Sequence, residues 1–384
     1  MNSRERLLIS LDHREPDRIP FDLGSIQVTG IHEIAYRNLR QALGLPETTT
    51  NLCDTIQQLA TVEEDVVEQL GIDVRGLYPL NSHNWNIVEE DVGEYWAYHD
   101  EWGITHHRPK ERGYYYSIVE VPLPKFDITE QEIEQYPWPD MGAHWRVAGL
   151  REQAERYRAA GYAVVLKDAF AGILEFAQRV VGMENLLLMM GIDEKRACSL
   201  FDKMLDLKLA YWRTALKELG DLVDVVTYAD DYGTQVSQLI SPAMFRKQLK
   251  PRVRQVFELQ AQLAPHAKRL FHSDGNVRPL IPDFIEMGVD ILNPVQATAT
   301  GMDPTDLKRE FGQDLVFWGG GVDTQGILPS GTPQKVKDDV KRNIDALAAG
   351  GGYVFNTVHN IQADVPPENI LAMWEALQEY GAYG

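Results

Sequence analysis

The chain has 384 residues, 44% of them hydrophobic and 24% charged, enough to bury a large core and too apolar for a disordered segment. Its 57 acidic against 37 basic residues give a net charge of −20, which argues against nucleic acid or an anionic membrane as partner. The 2 cysteines, Cys53 and Cys198, are too few for a disulfide framework and lack thiolate metal-site spacing. The charged opening MNSRERLLISLDHREPDRIP has no apolar signal region, and no run of about 18 apolar residues follows, so a cytoplasmic protein is expected.

In chain order, residues 3–11 read as a short N-terminal helix with Ser3 as its cap, and 19–23 as a first strand ending at Gly24-Ser25. An amphipathic helix over 31–43 stops at Gly44, another over 61–70 stops at Gly71, and 72–78 is the second strand. Residues 84–124 break the rhythm. They are rich in aromatic and β-branched residues, with turn signals at Glu101-Trp102-Gly103 and from Lys110 to Gly113, and predict an antiparallel hairpin insertion. Its aromatics are expected to pack it onto the main body.

Beyond the insertion a strand–helix beat is regular. Strands are expected at 162–167, 224–228, 269–271, 289–292, 315–318 and 353–355. Helices are expected from 172 to 218 with breaks near Gly182 and Gly191, then over 241–263, 279–287, 333–349 and 367–380. Ser241 and Pro242 supply an N-cap and an N1 proline for the second of these. Eight strands with intervening helices predict a (β/α)8 TIM barrel, with the N-terminal helix as an extension and residues 1–384 as one domain. No G-x-G-x-x-G or G-x-x-x-x-G-K-[ST] supports an open dinucleotide- or nucleotide-binding sheet.

In such a barrel the residues just past each strand share one mouth. The sequence collects Asp168, Asp230, Asp231, Gln235, His272, Asp274, Asn293, Gln296, Asp323, Asn356 and His359 there. Asp323 and Asn276 suit helix N-caps. Alone, the H-S-D of 272–274 fits a hydrogen-bonded structural histidine followed by a capping aspartate. Together with His359 after the last strand, it makes two imidazoles and one carboxylate, a set that matches divalent-metal ligation. Asp168, Asp230 and Asp231 are candidates for proton transfer. Gln235, Asn293, Gln296 and Asn356 are candidates for substrate binding.

The phrases SRERLLISLDHREPDRIPFDLG, DDYGTQ, ISPAMFRKQLKP, GVDILNPVQ, FWGGGVDT and PPENILAMWEAL, spread over nearly the whole chain, resemble the uroporphyrinogen decarboxylase superfamily. That resemblance implies a (β/α)8 barrel. It also implies arginines just after the first strand in true decarboxylases, but FDLGSIQ at 21–27 has none, so porphyrinogen decarboxylation is not expected. The other branch, the corrinoid-linked methyltransferases, holds zinc through an H-x-C pair and a later cysteine. His272 falls on that histidine, Asp274 on the first cysteine, and His359 on or beside the second. The resemblance therefore implies a divalent metal, zinc by analogy, with harder ligands than the branch uses. With no D-x-H-x-x-G sequence in the chain, a corrinoid would arrive on a partner protein. The expected activity is methyl transfer between a small O- or N-methylated compound and that corrinoid. The alternative is a decarboxylase-like lyase of a smaller acid, using the mouth carboxylates and Arg75. Homo-oligomer formation is left open.

Overall fold

The structure is a computed structural model that describes residues 1–82 and 85–384. Asn84, the first residue of the expected insertion, lies outside the described residues. Seven parallel strands form one curled sheet, and strands that follow one another in sequence lie side by side. They are Val74–Leu77, Ala163–Leu166, Val225–Ala229, Lys268–His272, Ile291–Asn293, Val316–Trp318 and Tyr353–Val354. Helices on the outside carry the chain between most of them, as in a TIM-barrel-like fold.

The alternation of side chains explains why these strands read as continuous apolar runs. One face of the sheet, with Val74, Ala163, Val165, Val225, Leu270, Ile291, Val316, Trp318 and Val354, forms a buried apolar cluster of its own inside the barrel. Leu7 and Leu11 of helix Ser3–Leu11 close this cluster at one end, and Ile26 and Val28 also join it. The other face, with residues such as Val164, Val226, Tyr228, Phe271, Leu292 and Phe317, packs under the outer helices. The N-terminal helix occupies the predicted residues, but Asn2 rather than Ser3 caps it, in a capping box with Glu5.

The expected first strand is reduced to a single parallel bridge between Phe21 and Phe355. Pro20 has no N–H for a ladder, and the Phe21 N–H donates to a side chain, Asp73 Oδ2, at 2.9 Å. The segment nevertheless bonds on both sides. Phe355 N–H donates to Pro20 O (2.8 Å), Asp22 N–H to Phe355 O (2.9 Å) and Asp73 N–H to Phe21 O (2.8 Å). These contacts close the seam between the first and last strands. Asp73, fully buried, also receives Arg6 Nη1 at 2.7 Å and Arg18 Nη1 at 2.7 Å.

Three smaller differences are local. The long helical region breaks at Gly182, as expected, and at Asp193, which caps helix Glu194–Leu219 in place of the expected break at Gly191. Helix 241–263 contains a π-helical turn at Phe245–Leu249. Helices Leu150–Ala159 and Pro304–Phe311 occupy stretches for which the sequence suggested no element.

The insertion is a four-stranded antiparallel sheet, Glu90–Val92, Tyr95–His99, Thr105–Pro109 and Ser117–Glu120. Its turn at Gly103 uses a positive φ of 76°. Tyr98, Trp102 and Tyr116 are buried, and the Trp102 ring lies 5.0 Å from Phe170 and 4.3 Å from Phe176. The aromatics thus dock the insertion onto the barrel at the end where the strands finish.

Two stability measurements test this picture. Asp73→Ala leaves Arg6 only its pair with Asp17 and strips the Phe21 N–H of its acceptor, and is expected to cost about 2–4 kcal/mol in urea unfolding; a loss under about 1 kcal/mol would mean that the seam does not depend on it. Asp22, buried beside Trp318 and Ser25, has its carboxyl pushed up by burial to about 6. The folded state then holds a proton that the unfolded state releases near pH 4, so stability falls as pH rises through the window from about 4 to 6. Relative to Asp22→Asn, which cannot ionise, the natural chain is expected to lose on the order of 3 kcal/mol across that window. Parallel stability curves for the two proteins would contradict it.

Candidate metal site and cavity at the barrel mouth

Continuing the inward face by two residues exchanges apolar side chains for polar ones. Leu270 is followed by His272, Ile291 by Asn293, Val165 by Lys167 and Val354 by Asn356. His272, Ala229 and Lys167 border a cavity of about 330 Å³, joined by Asp231 and His359 from the loops and roofed in part by Tyr98 and Trp102 of the insertion.

His272, Asp274 and His359 converge at this mouth, with one ligand atom from each lying within 4.8 Å of the others. His272 Nε2 and His359 Nε2 each lie 3.8 Å from Asp274 Oδ2. Behind His272, Nδ1 is 2.5 Å from Asn293 Oδ1, and the Asn293 amide donates to Trp318 O at 2.7 Å. That second bond fixes which way the amide faces. His272 Nδ1 is therefore the donor, and the lone pair of Nε2 points into the site. Asp274 is held through its backbone, since its N–H donates to Asp231 Oδ1 at 2.9 Å and the next N–H, of Gly275, to Gln296 Oε1 at 2.7 Å. Gly275, with φ +80°, lets this loop pass close to Gly233, where a Cβ would lie 2.6 Å from the Gly233 carbonyl carbon. Asp274 Oδ1 is buried and has no hydrogen-bond partner among the described residues. A carboxylate that turns Oδ2 toward two imidazoles and leaves Oδ1 without a donor fits a divalent cation. Burial pulls the His272 pKa down, but Asp274 and Asp231, with the Asn293 bond, outweigh it and leave the pKa raised.

The other expected residues divide by which way they face. Asp231 is half-exposed in the cavity, its Oδ1 3.9 Å from His272 Nε2. Asp168 does not border the cavity; its carboxylate pairs with the buried Lys208 at 2.6 Å. Asp230 is also set outside it, at the start of helix Ile173–Val181. There it accepts from Leu174 N, Glu175 N, Tyr228 Oη and Tyr232 Oη, while burial pushes its carboxyl up to about 7. Gln235 and Gln296 border a neighbouring groove of about 440 Å³, which also reaches Asp274 and His359. Asn293 stands behind His272. Asn356 donates to Asp22 O at 3.0 Å, and its Oδ1 is buried without a partner among the described residues. Arg75 lies elsewhere, paired with Glu64 at 2.8 Å and 3.5 Å from the Tyr162 ring centre.

Sequence reading missed several cavity residues: Lys167, Asp54, Glu175 and Arg179, with the rings of Phe170 and Phe176. Parity along the strand was a signal for Lys167, two residues past inward-facing Val165. The spacing of four between Glu175 and Arg179, which form an ion pair on one helix, was a weaker one.

Comparisons with known proteins bear on this architecture. A family profile described as uroporphyrinogen decarboxylase (URO-D) matches residues 114–380. A uroporphyrinogen decarboxylase of Pseudoalteromonas translucida is 33% identical over 106 residues, 26% of this chain and 29% of that protein. One from Thermus thermophilus is 25% identical over 191 residues, 48% of each. These matches span less than half the length of either relative. A methyltransferase from Methanosarcina mazei superposes over 99% of both chains with a TM-score of 0.64 at 19% identity, which establishes the likeness of fold. With the profile covering more than half of its length, the chain belongs to the uroporphyrinogen decarboxylase family.

Proposed function

We propose that this protein is a metal-dependent methyltransferase, moving a methyl group between a small O- or N-methylated compound and a corrinoid carried by a partner protein. The observation that supports it is the His272–Asp274–His359 cluster with the orphaned Asp274 Oδ1, at the edge of a closed-in cavity. When bound there, a divalent ion such as zinc supplies Lewis acidity toward the oxygen or nitrogen that carries the methyl group. The corrinoid supplies the cobalt that exchanges the methyl group.

The chain's own residues do the rest. Asn293 holds His272 in the tautomer that leaves Nε2 free. Asp231, half-exposed and 3.9 Å from His272 Nε2, is placed to hold or deliver a proton at the departing oxygen or nitrogen. Tyr98, Trp102 and Phe170 narrow the cavity against water. Gln235 and Gln296, bordering the adjoining groove, offer polar contacts to the group brought by the partner. Asp168 and Asp230 act as positioning residues, fixing Lys208 and the start of helix Ile173–Val181. One carboxylate and two imidazoles donate less strongly than thiolates. Such a site favours polarising an ether or amine over activating a thiol, so the demethylating direction is proposed.

A lyase acting on a smaller carboxylic acid is the second reading, favoured by the activity for which the curated relatives are named. Against it stands Arg75, which pairs with Glu64 away from the cavity; the absence of arginine from residues 21–27 weighs only against a porphyrinogen substrate.

Metal analysis of protein purified without added metal is expected to find about one divalent ion per chain. His272→Ala should abolish it, and Asn293→Ala should weaken metal affinity by about 10–100-fold while leaving the ligands in place. Protein that stays metal-free after dialysis against zinc would remove the proposal. In assays with a corrinoid protein, the metal-loaded enzyme is expected to demethylate ethers or amines. Efficient methylation of a thiol without demethylation would reverse the direction, and metal-independent release of carbon dioxide from small acids would establish the lyase.

A further inference from the structure

The cavity beside the His272–Asp274–His359 cluster holds a cation that no carboxylate meets at ion-pair distance among the described residues. Lys167 follows strand Ala163–Leu166 and borders the cavity. Its ammonium donates to Asp168 O at 3.1 Å, and among the described residues it makes no ion pair. Arg179 borders the same cavity. One of its terminal nitrogens pairs with Glu175, and its remaining N–H groups have no hydrogen-bond partner among the described residues.

The acids around them are largely engaged. Glu101 is paired with Arg146 at 2.8 Å, and Asp100 with His106 at 3.0 Å. Glu175 is taken by Arg179, Asp231 faces His272 and accepts the Asp274 N–H, and Asp54, whose Oδ1 accepts the Gln57 N–H at 2.8 Å, stays outside ion-pair distance of Lys167. Burial pulls the Lys167 ammonium below its ordinary range and the Arg179 charge adds to that pull, while Asp54 and Asp168 oppose it. Bringing two cations together in a confined cavity is costly unless an anion completes the set. A planar guanidinium fork beside an ammonium matches a carboxylate. The cavity, about 330 Å³, is at the size of a small-molecule site, and Tyr98, Trp102, Phe170 and Phe176 give it an aromatic lining.

We propose that Lys167 and Arg179 form a carboxylate receptor, so that the methylated substrate is an anionic small molecule whose carboxylate is held there while its methyl-bearing atom lies at the His272–Asp274–His359 cluster. This rests on the methyl-transfer reading for what happens at the cluster, and on the cavity alone for what is bound. Lys167 is the discriminating residue. Arg179 is already paired with Glu175, whereas Lys167 has no ion pair among the described residues.

The test is calorimetric binding of two matched pairs to the metal-loaded protein without corrinoid. The pairs are methoxyacetate against methoxyacetamide, and 4-methoxybenzoate against 4-methoxybenzamide. The acid is expected to bind at least about tenfold more tightly than its amide in one pair. Lys167→Met should bring that ratio to within about twofold, and Lys167→Arg should restore it. Should Lys167→Met fail to fold by circular dichroism, Arg179→Gln is measured against the same pairs and should lower the ratio at least about threefold. A native ratio near one, no binding of either acid, or an undiminished ratio in the variant measured overturns the proposal. Acid preference without any transfer to a corrinoid would sink the methyl-transfer reading and leave the receptor standing. Transfer at equal rates from acids and amides would do the opposite.

Discussion

The Asp73 carboxylate is the constraint on which the closure of this barrel depends. A seven-stranded sheet has two open edges, and here they meet across a segment too short to be a strand. Asp73 takes the Phe21 N–H that a ladder would have used and adds charged bonds from Arg6 and Arg18. One residue along, Asp22 accepts from Trp318 Nε1 at 3.0 Å. Trp318 O accepts from Asn293, and Asn293 accepts from His272. A continuous run of hydrogen bonds therefore links the seam to the imidazole that faces the cavity. Each member is buried, so each depends on its neighbour being in place.

The same wall separates two kinds of polar group. Those that complete the fold have every charge answered: Asp168 by Lys208, Asp230 by four donors, Asp73 by two arginines. Those that face the cavity have something left over. Asp274 Oδ1 lacks a donor and Lys167 lacks an anion, although both sit where an unanswered group is expensive. The inserted sheet raises that expense, because Trp102 and Tyr98 narrow the approach of water. The barrel mouth thus carries an unanswered acceptor and an unpaired cation side by side.

Much of this was legible in the sequence, and for physical reasons. Strands buried on both faces leave unbroken apolar runs, so seven of the eight expected strands are present. His272, Asp274 and His359 could be placed together because each follows a strand and all strands end at the same rim. The reading was coarser where it counted polar residues past a strand without their parity. Asp168 and Asp230 follow the inward-facing Lys167 and Ala229 by one residue and so turn away from the cavity, while Lys167, taken only as the end of a strand, faces it. The seam segment was read as a strand because its residues are apolar, and its bonding to a side chain far along the chain leaves no local pattern. Asn293 looked like a substrate contact, but an amide that orients a histidine has the same sequence signature as one that binds a ligand.

The seam also sets an order of events during synthesis. Ser10 bonds to Tyr353 across 343 residues, and at typical translation rates that partner emerges roughly 20–70 s later. Until then the Phe21 segment, bonded to Asp73 on one side, has its other side bare, and Leu7 and Leu11 have only part of the interior to cover. The nascent chain must therefore pass through an open, sticky half-barrel. Its yield in a cell should depend more on protection during that interval than on the stability of the finished molecule.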